Sequence, residues 1–215
     1  MSTKFGRNLK GIGLCAFLFL FSGMVDGQGD SGSKPRYLGR TTEEWIGELA
    51  GGKARHGTAF DALAEPRREA TPVLLEMIIH ENASIRCLAA MGLWHIGSEA
   101  PEAIPSLIKA VQDRDLNTRY WAAQALGKHG PAAQAAVPAL VKVLQKTFRD
   151  VDPTLEGPER YYADARAVAA ESLGKIGKDA ASAIPALKEA LKDRSSAVRE
   201  AAANALVQIE GEGKK

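Results

Sequence analysis

The sequence predicts an all-α solenoid of about five stacked helix pairs, and two observations carry that expectation. One is composition. The chain has 215 residues, 45% hydrophobic and 25% charged, with 36 alanines (35 of them beyond residue 49) and only 6% aromatics. A core of Ala and Leu suits closely approaching helices, whereas a sheet would draw on Val, Ile, Thr and aromatics. The other observation is period. Pro72, Pro105 and Pro138 stand 33 residues apart, and Pro185 follows after 47, one period plus an insertion of 14. Self-similarity at a fixed period of this length marks a stack of repeated units.

In chain order, the first segment reads as an address. Lys4, Arg7 and Lys10 precede an uncharged, mostly apolar run from Gly11 to Val25, and Val25-Asp26-Gly27 offers a cleavage site before Gln28. This is the three-part layout of a secretory signal peptide over residues 1–27, and it predicts an exported, periplasmic or extracellular chain. The alternative is an uncleaved N-terminal anchor, although the run is shorter than the ~20 residues that span a bilayer comfortably. Cys15 is no lipoprotein site, because the apolar run follows it and Leu14 precedes it. Residues 28–40, rich in Gly and Ser at first, read as a flexible linker. Cleavage near Gly27 leaves 25 Lys+Arg and 25 Asp+Glu. That neutral chain has no basic field for nucleic acid, so no nucleic-acid partner is expected.

The body, residues 41–210, is one unit repeated, at about 41–68, 70–100, 103–133, 136–180 and 183–210. Each proline belongs in the first turn of a helix A, where its missing N–H is harmless. Fourteen residues after Pro72, Pro105 and Pro185 come Arg86, Arg119 and Arg199; after Pro138 the insertion delays Arg166 to 28. Helix B starts near each arginine and ends 11 residues later at Gly97, Gly130 and Gly177, with Glu210 in that slot in the last copy. Counting from the arginine, +3 and +4 are Ala in all four copies and +7 is Leu93, Leu126, Leu173 or Leu206. That 3–4 spacing makes one apolar stripe. The 41–68 unit is degenerate: Thr41 and Glu44 suit a capping box, Trp45 and Leu49 face inward, His56 takes the arginine slot, and Ala59, Phe60 and Leu63 take +3, +4 and +7. It reads as an N-terminal cap. Residues 211–215 are a polar tail.

This pattern resembles the HEAT repeat, and most closely the short bacterial repeats named after phycobilin lyases. The resemblance rests on the helix A proline, on Asp113 and Asp193 eight positions later, and on Arg119 and Arg199 six beyond those. It implies a right-handed superhelix whose B helices line the concave face. It also implies an aspartate–arginine ladder between adjacent turns, drawing on Asp113, Asp193, Arg86, Arg119, Arg166 and Arg199. His80 and Lys146 occupy the aspartate slot of the other two copies, so the ladder is expected to break there.

Two places are candidates for binding. Positions +1, +5, +8 and +9 of helix B form an outward row: Cys87, Met91, Trp94 and His95, then Tyr120, Gln124 and Lys128, then Glu171 and Lys175, then Asn204 and Gln208. Trp94 stands where two other copies have Gly127 and Gly174. Either these aromatics pack on a neighbouring helix or they line a groove. The second candidate is the 148–162 insertion, with Tyr161 and Tyr162 placed to grip a partner. Its acids, Asp150, Asp152, Glu156 and Glu159, are sparser than a calcium loop requires.

The function expected is a non-catalytic, exported scaffold, monomeric, that binds a protein or peptide on the B-helix face and the 148–162 loop. No cofactor or metal is expected. The alternative is an enzyme or enzyme accessory of the same repeat class, either deoxyhypusine-hydroxylase-like or phycobilin-lyase-like. The resemblance to the hydroxylases would require several His-Glu pairs on B helices to hold iron. Only His80-Glu81 forms such a pair, at the end of a helix A, and His56, His95 and His129 have no acidic neighbour. Cys87 has no His-acid constellation to activate it.

Overall fold

Each helix A carries a proline in its first turn. The computed structural model describes residues 34–50, 62–63, 67–145 and 165–211. Within them four helix pairs succeed one another: α2 (Thr71–Met77) with α3 (Ala83–Ile96), α4 (Ile104–Ala110) with α5 (Leu116–His129), α6 (Val137–Leu144) with α7 (Ala165–Ile176), and α8 (Ile184–Ala190) with α9 (Ser196–Glu210). Pro105 and its counterparts stand in the first turn of α2, α4, α6 and α8, each entered through a short 3-10 turn. Asn82 Oδ1 caps α3 by accepting from the Ser84 N–H at 2.9 Å, and Asp115 Oδ2 caps α5 by accepting from the Thr118 N–H at 2.7 Å. Gly97, Gly130 and Gly177 close α3, α5 and α7 with φ of 62°, 55° and 73°, a left-handed conformation that a Cβ would strain. In the last repeat Glu210 is still helical, and Gly211 (φ 79°) closes α9 one residue later.

The B helices α3, α5, α7 and α9 pack side by side in one layer, with the A helices forming the other: an all-α solenoid. Leu93, Leu126 and Leu173 are fully buried, as are the alanine pairs 89–90, 122–123 and 169–170. Small residues permit a close approach at +6 as well. A Cβ on Gly92 would stand 2.6 Å from the Leu63 carbonyl oxygen, and Ser172 Oγ donates to the Ala123 carbonyl at 2.8 Å. On α9, the outermost of the described helices, Ala202 is buried but Ala203 is exposed.

The N-terminal segment departs from expectation. Residues 36–40, assigned above to a flexible linker, fold into a hairpin of β1 (Arg36–Tyr37) and β2 (Arg40–Thr41), antiparallel with Arg36 opposite Thr41. Leu38 (φ 49°) and Gly39 (φ 77°) make the turn, as a two-residue hairpin requires. Aromatic burial supplies the reason. Tyr37 packs on Trp45 with ring centres 6.2 Å apart, Trp45 Nε1 donates to the Tyr37 carbonyl at 3.1 Å, and the Arg40 guanidinium lies 4.8 Å above the indole. Trp45 sits on α1 (Thr42–Ala50), whose start carries the capping box: the Thr41 N–H donates to Glu44 Oε2 at 2.7 Å and the Glu44 N–H to Thr41 Oγ1 at 3.4 Å. A Thr42–Glu76 hydrogen bond ties this unit to α2. The segment 1–33, His56, Ala59, Phe60, Lys146, the 148–162 insertion with Tyr161 and Tyr162, and residues 212–215 lie outside the described residues.

Candidate binding face

The arginines that punctuate the sequence set the register of the stack. Arg86 donates through Nε and Nη2 to both carboxylate oxygens of Asp113, each at 2.8 Å, while its Nη1 holds the carbonyls of His80 and Glu81 at 2.8 and 2.7 Å. Arg166 Nη1 reaches Asp193 at 2.9 Å. Each carboxylate contact therefore runs to the arginine of the preceding repeat. Within its own repeat, Arg119 takes the Asp113 carbonyl (2.8 Å) and Arg199 the carbonyls of Asp193 and Arg194 (2.7 and 2.9 Å). Burial pushes the Asp113 carboxyl up. The Arg86 hydrogen bond, the Asp115 N–H and the charges of Arg86 and Arg114 outweigh burial and hold it below the usual carboxylate range.

The B-helix row begins with an aromatic cluster. Trp94 on α3 lies 5.1 Å from Trp121 on α5, measured between ring centres, and meets the His95 ring edge-on at 4.7 Å. Tyr120 stands edge-on to Trp121 at 5.3 Å, and Gln124 Nε2 reaches the Tyr120 hydroxyl at 3.5 Å. Lys128 Nζ sits 4.2 Å above the Trp94 ring, a cation–π contact across the two repeats. The glycines in the equivalent slot explain why Trp94 is unusual. A Cβ on Gly127 would stand 3.2 Å from Lys175 Cδ, so there the side chain of the following repeat lies directly over the backbone. Gly174 receives Gln208 in the same way. Trp94 instead spreads its ring over α5 and remains half-buried, so it both packs on its neighbour and shows an edge to solvent. Glu171 and Lys175 continue the row on α7, exposed.

A profile of HEAT repeats matches residues 71–152 and 159–215. The chain belongs to the HEAT-repeat family. Two solved structures share the fold, both engineered proteins from the Northeast Structural Genomics Consortium. The first is 20% identical with a TM-score of 0.52, over 80% of this chain and 85% of that one. The second is 21% identical with a TM-score of 0.51, over 79% of this chain and 47% of the other. No curated protein matches.

In this HEAT stack the row has a neighbour that the sequence did not single out. A cleft of about 240 Å³ opens between the first turns of α3 and α5, floored by Cys87, Leu88 and Met91 and edged by Ser84, Asp115 and Asn117. Burial, and secondarily the Asp115 charge, push the Cys87 thiol up to about 11, the opposite of what a nucleophilic thiolate needs. Trp121 was likewise missed. It occupies +2, filled elsewhere by Leu88, Val168 and Ala201, and its signal was that it is the one aromatic in that slot. The described histidines do not converge. His80 Nδ1 accepts from the Asn82 N–H in a turn, His95 is exposed and His129 is buried. Among the described residues no three His, Cys, Asp or Glu side chains gather as metal ligands, and no helix is long and apolar enough to cross a membrane.

Proposed function

We propose that this HEAT-repeat chain is an exported, non-catalytic module that binds a protein or peptide partner on its B-helix face. One observation carries the reading: Trp94, Tyr120 and Trp121 form a half-buried aromatic cluster topped by the exposed Lys128 ammonium, and none of the three aromatic slots holds an aromatic in the other described repeats. Aromatic residues with one edge in solvent bury much area for little lost side-chain freedom, which is why they dominate binding hot spots. The cleft beside Cys87 and Met91 adds an apolar recess with a polar rim. Beyond Lys128 the row turns polar, through Glu171, Lys175, Asn204 and Gln208, and suits the less apolar end of an extended partner. The basic start and apolar run of residues 1–25 support export.

Crosslinking in the native cell followed by mass spectrometry identifies the partner. Purified wild-type chain should then capture it, and Trp94→Gly combined with Tyr120→Ala should not, while the far-ultraviolet circular dichroism stays helical. Equal capture by both proteins would remove the B-helix face from consideration. Stoichiometric iron in the purified protein would restore the hydroxylase alternative.

A further inference from the structure

Slot +10 of helix B belongs to the core: it holds Ile96, Ile176 and Ile209, at 8%, 1% and 4% exposure. In the third repeat the same slot holds His129, at 5% exposure, and neither ring nitrogen has a protein hydrogen-bond partner among the described residues. An imidazole in an isoleucine site costs desolvation even when neutral, and more once it carries a proton. Its position concentrates the effect. His129 is the last residue of α5, directly before the left-handed turn at Gly130, and follows Lys128, whose ammonium covers Trp94. Among the charged groups of the described residues, Glu102 on the 101–103 turn is the one whose field reaches the ring, and it favours the cation. Glu99, Lys128 and Lys175 are exposed to solvent. The C-terminal dipole of α5 favours the cation as well. Burial outweighs these effects and pushes the imidazole below its ordinary range.

We propose that His129 makes the end of α5 acid-labile, so that mild acid loosens the joint between the second and third repeats and frees Lys128 from Trp94. The direction follows from linkage. Above the ordinary histidine pKa of ~6.5 both folded and unfolded chains hold a neutral ring, and pH has no effect through this group. As pH falls below that value the unfolded chain takes up the proton first, so stability declines until the folded value is passed. On the binding reading above, the aromatic face is then a neutral-pH surface, but the acid response itself needs no partner.

The test compares the full chain with His129→Ile, which restores the sibling residue, and with His129→Gln, which stays polar and cannot titrate. The Tm gap between His129→Ile and wild type should widen by about 2 °C or more from pH 7.5 to pH 5. Wild type should also fall relative to His129→Gln over the same range, and that comparison stands alone if the Ile variant packs poorly. At pH 5, amide exchange in residues 124–136 should be faster in wild type than in His129→Ile. Gaps that stay constant with pH would overturn the proposal, whatever the outcome of partner capture.

Discussion

Arg86 and Asp113 lie in successive repeats, yet two parallel hydrogen bonds of 2.8 Å join them, with only 6% and 15% of the two side chains exposed. A bidentate pair in so dry a place fixes orientation as well as distance. Removing one member leaves the other charge buried without its counterion. Asp113→Asn should therefore lower stability at pH 7 by about 2–3 kcal/mol in urea denaturation. Asp193→Asn should cost less, since Arg166 Nη1 reaches a single oxygen of that carboxylate. The folded carboxyl of Asp113 lies below its unfolded value, so its contribution is complete above pH ~4 and fades as pH falls through the folded pKa. Wild type and Asp113→Asn should converge on that acid side.

Gly92 sits where α3 meets the first repeat. A Cβ there would stand 2.6 Å from the Leu63 carbonyl oxygen and 3.1 Å from both Leu74 methyls. Gly92→Ala should destabilise by about 2 kcal/mol or more by forcing the helices apart. Gly47→Ala in α1, where a Cβ meets nothing within 4 Å, should instead stabilise by about 0.5–1 kcal/mol. Paired thermal melts check the opposite signs.

Cys87 should react sluggishly. With the thiol pushed up to about 11, its thiolate fraction at pH 8 is about a hundredfold below that of a free cysteine. Iodoacetamide labelling followed by mass spectrometry should show that lag in the native chain and lose it in denaturant. Fast native labelling would mean that the cleft is wetter than its apolar floor implies.

The Asp115 cap holds both the N–H and the hydroxyl of Thr118, each at 2.7 Å. Asp115→Ala should cost about 1–2 kcal/mol in denaturation, and Asp115→Asn appreciably less.

Much of this architecture was legible because every copy meets the same constraints. Counted from the arginine, the Ala-Ala pair and leucine recur at fixed offsets in four copies and the closing glycine in three. The fold class follows from that repetition. Features without a period were not legible. The two-residue strands at 36–37 and 40–41 carry no alternation, and their order comes from Tyr37 meeting Trp45. The direction of the arginine–aspartate contact, back to the preceding repeat, is a matter of stacking geometry that spacing alone leaves open. Trp94 was conspicuous against Gly127 and Gly174, but what it lies on, Trp121 and Lys128, depends on how far α3 stands from α5. His129 is legible in the sequence as a histidine without an acidic neighbour, but its place in a slot otherwise held by Ile96, Ile176 and Ile209 shows only once the +10 position is seen to be buried.

The separation from Arg86 to Asp113 is 27 residues, and that from Arg166 to Asp193 is also 27. Yet the proline of helix A precedes the arginine by 14 residues in one repeat (Pro105 to Arg119) and by 28 in another (Pro138 to Arg166). The stack thus counts only from its arginine forward, and chain inserted upstream of that arginine leaves the next repeat's register untouched. The A-to-B connection is accordingly the natural graft point of this solenoid. A foreign loop spliced there would have to spare the Arg86–Asp113 pair, the Asp113 carbonyl that holds Arg119, and the Asp115 cap of α5.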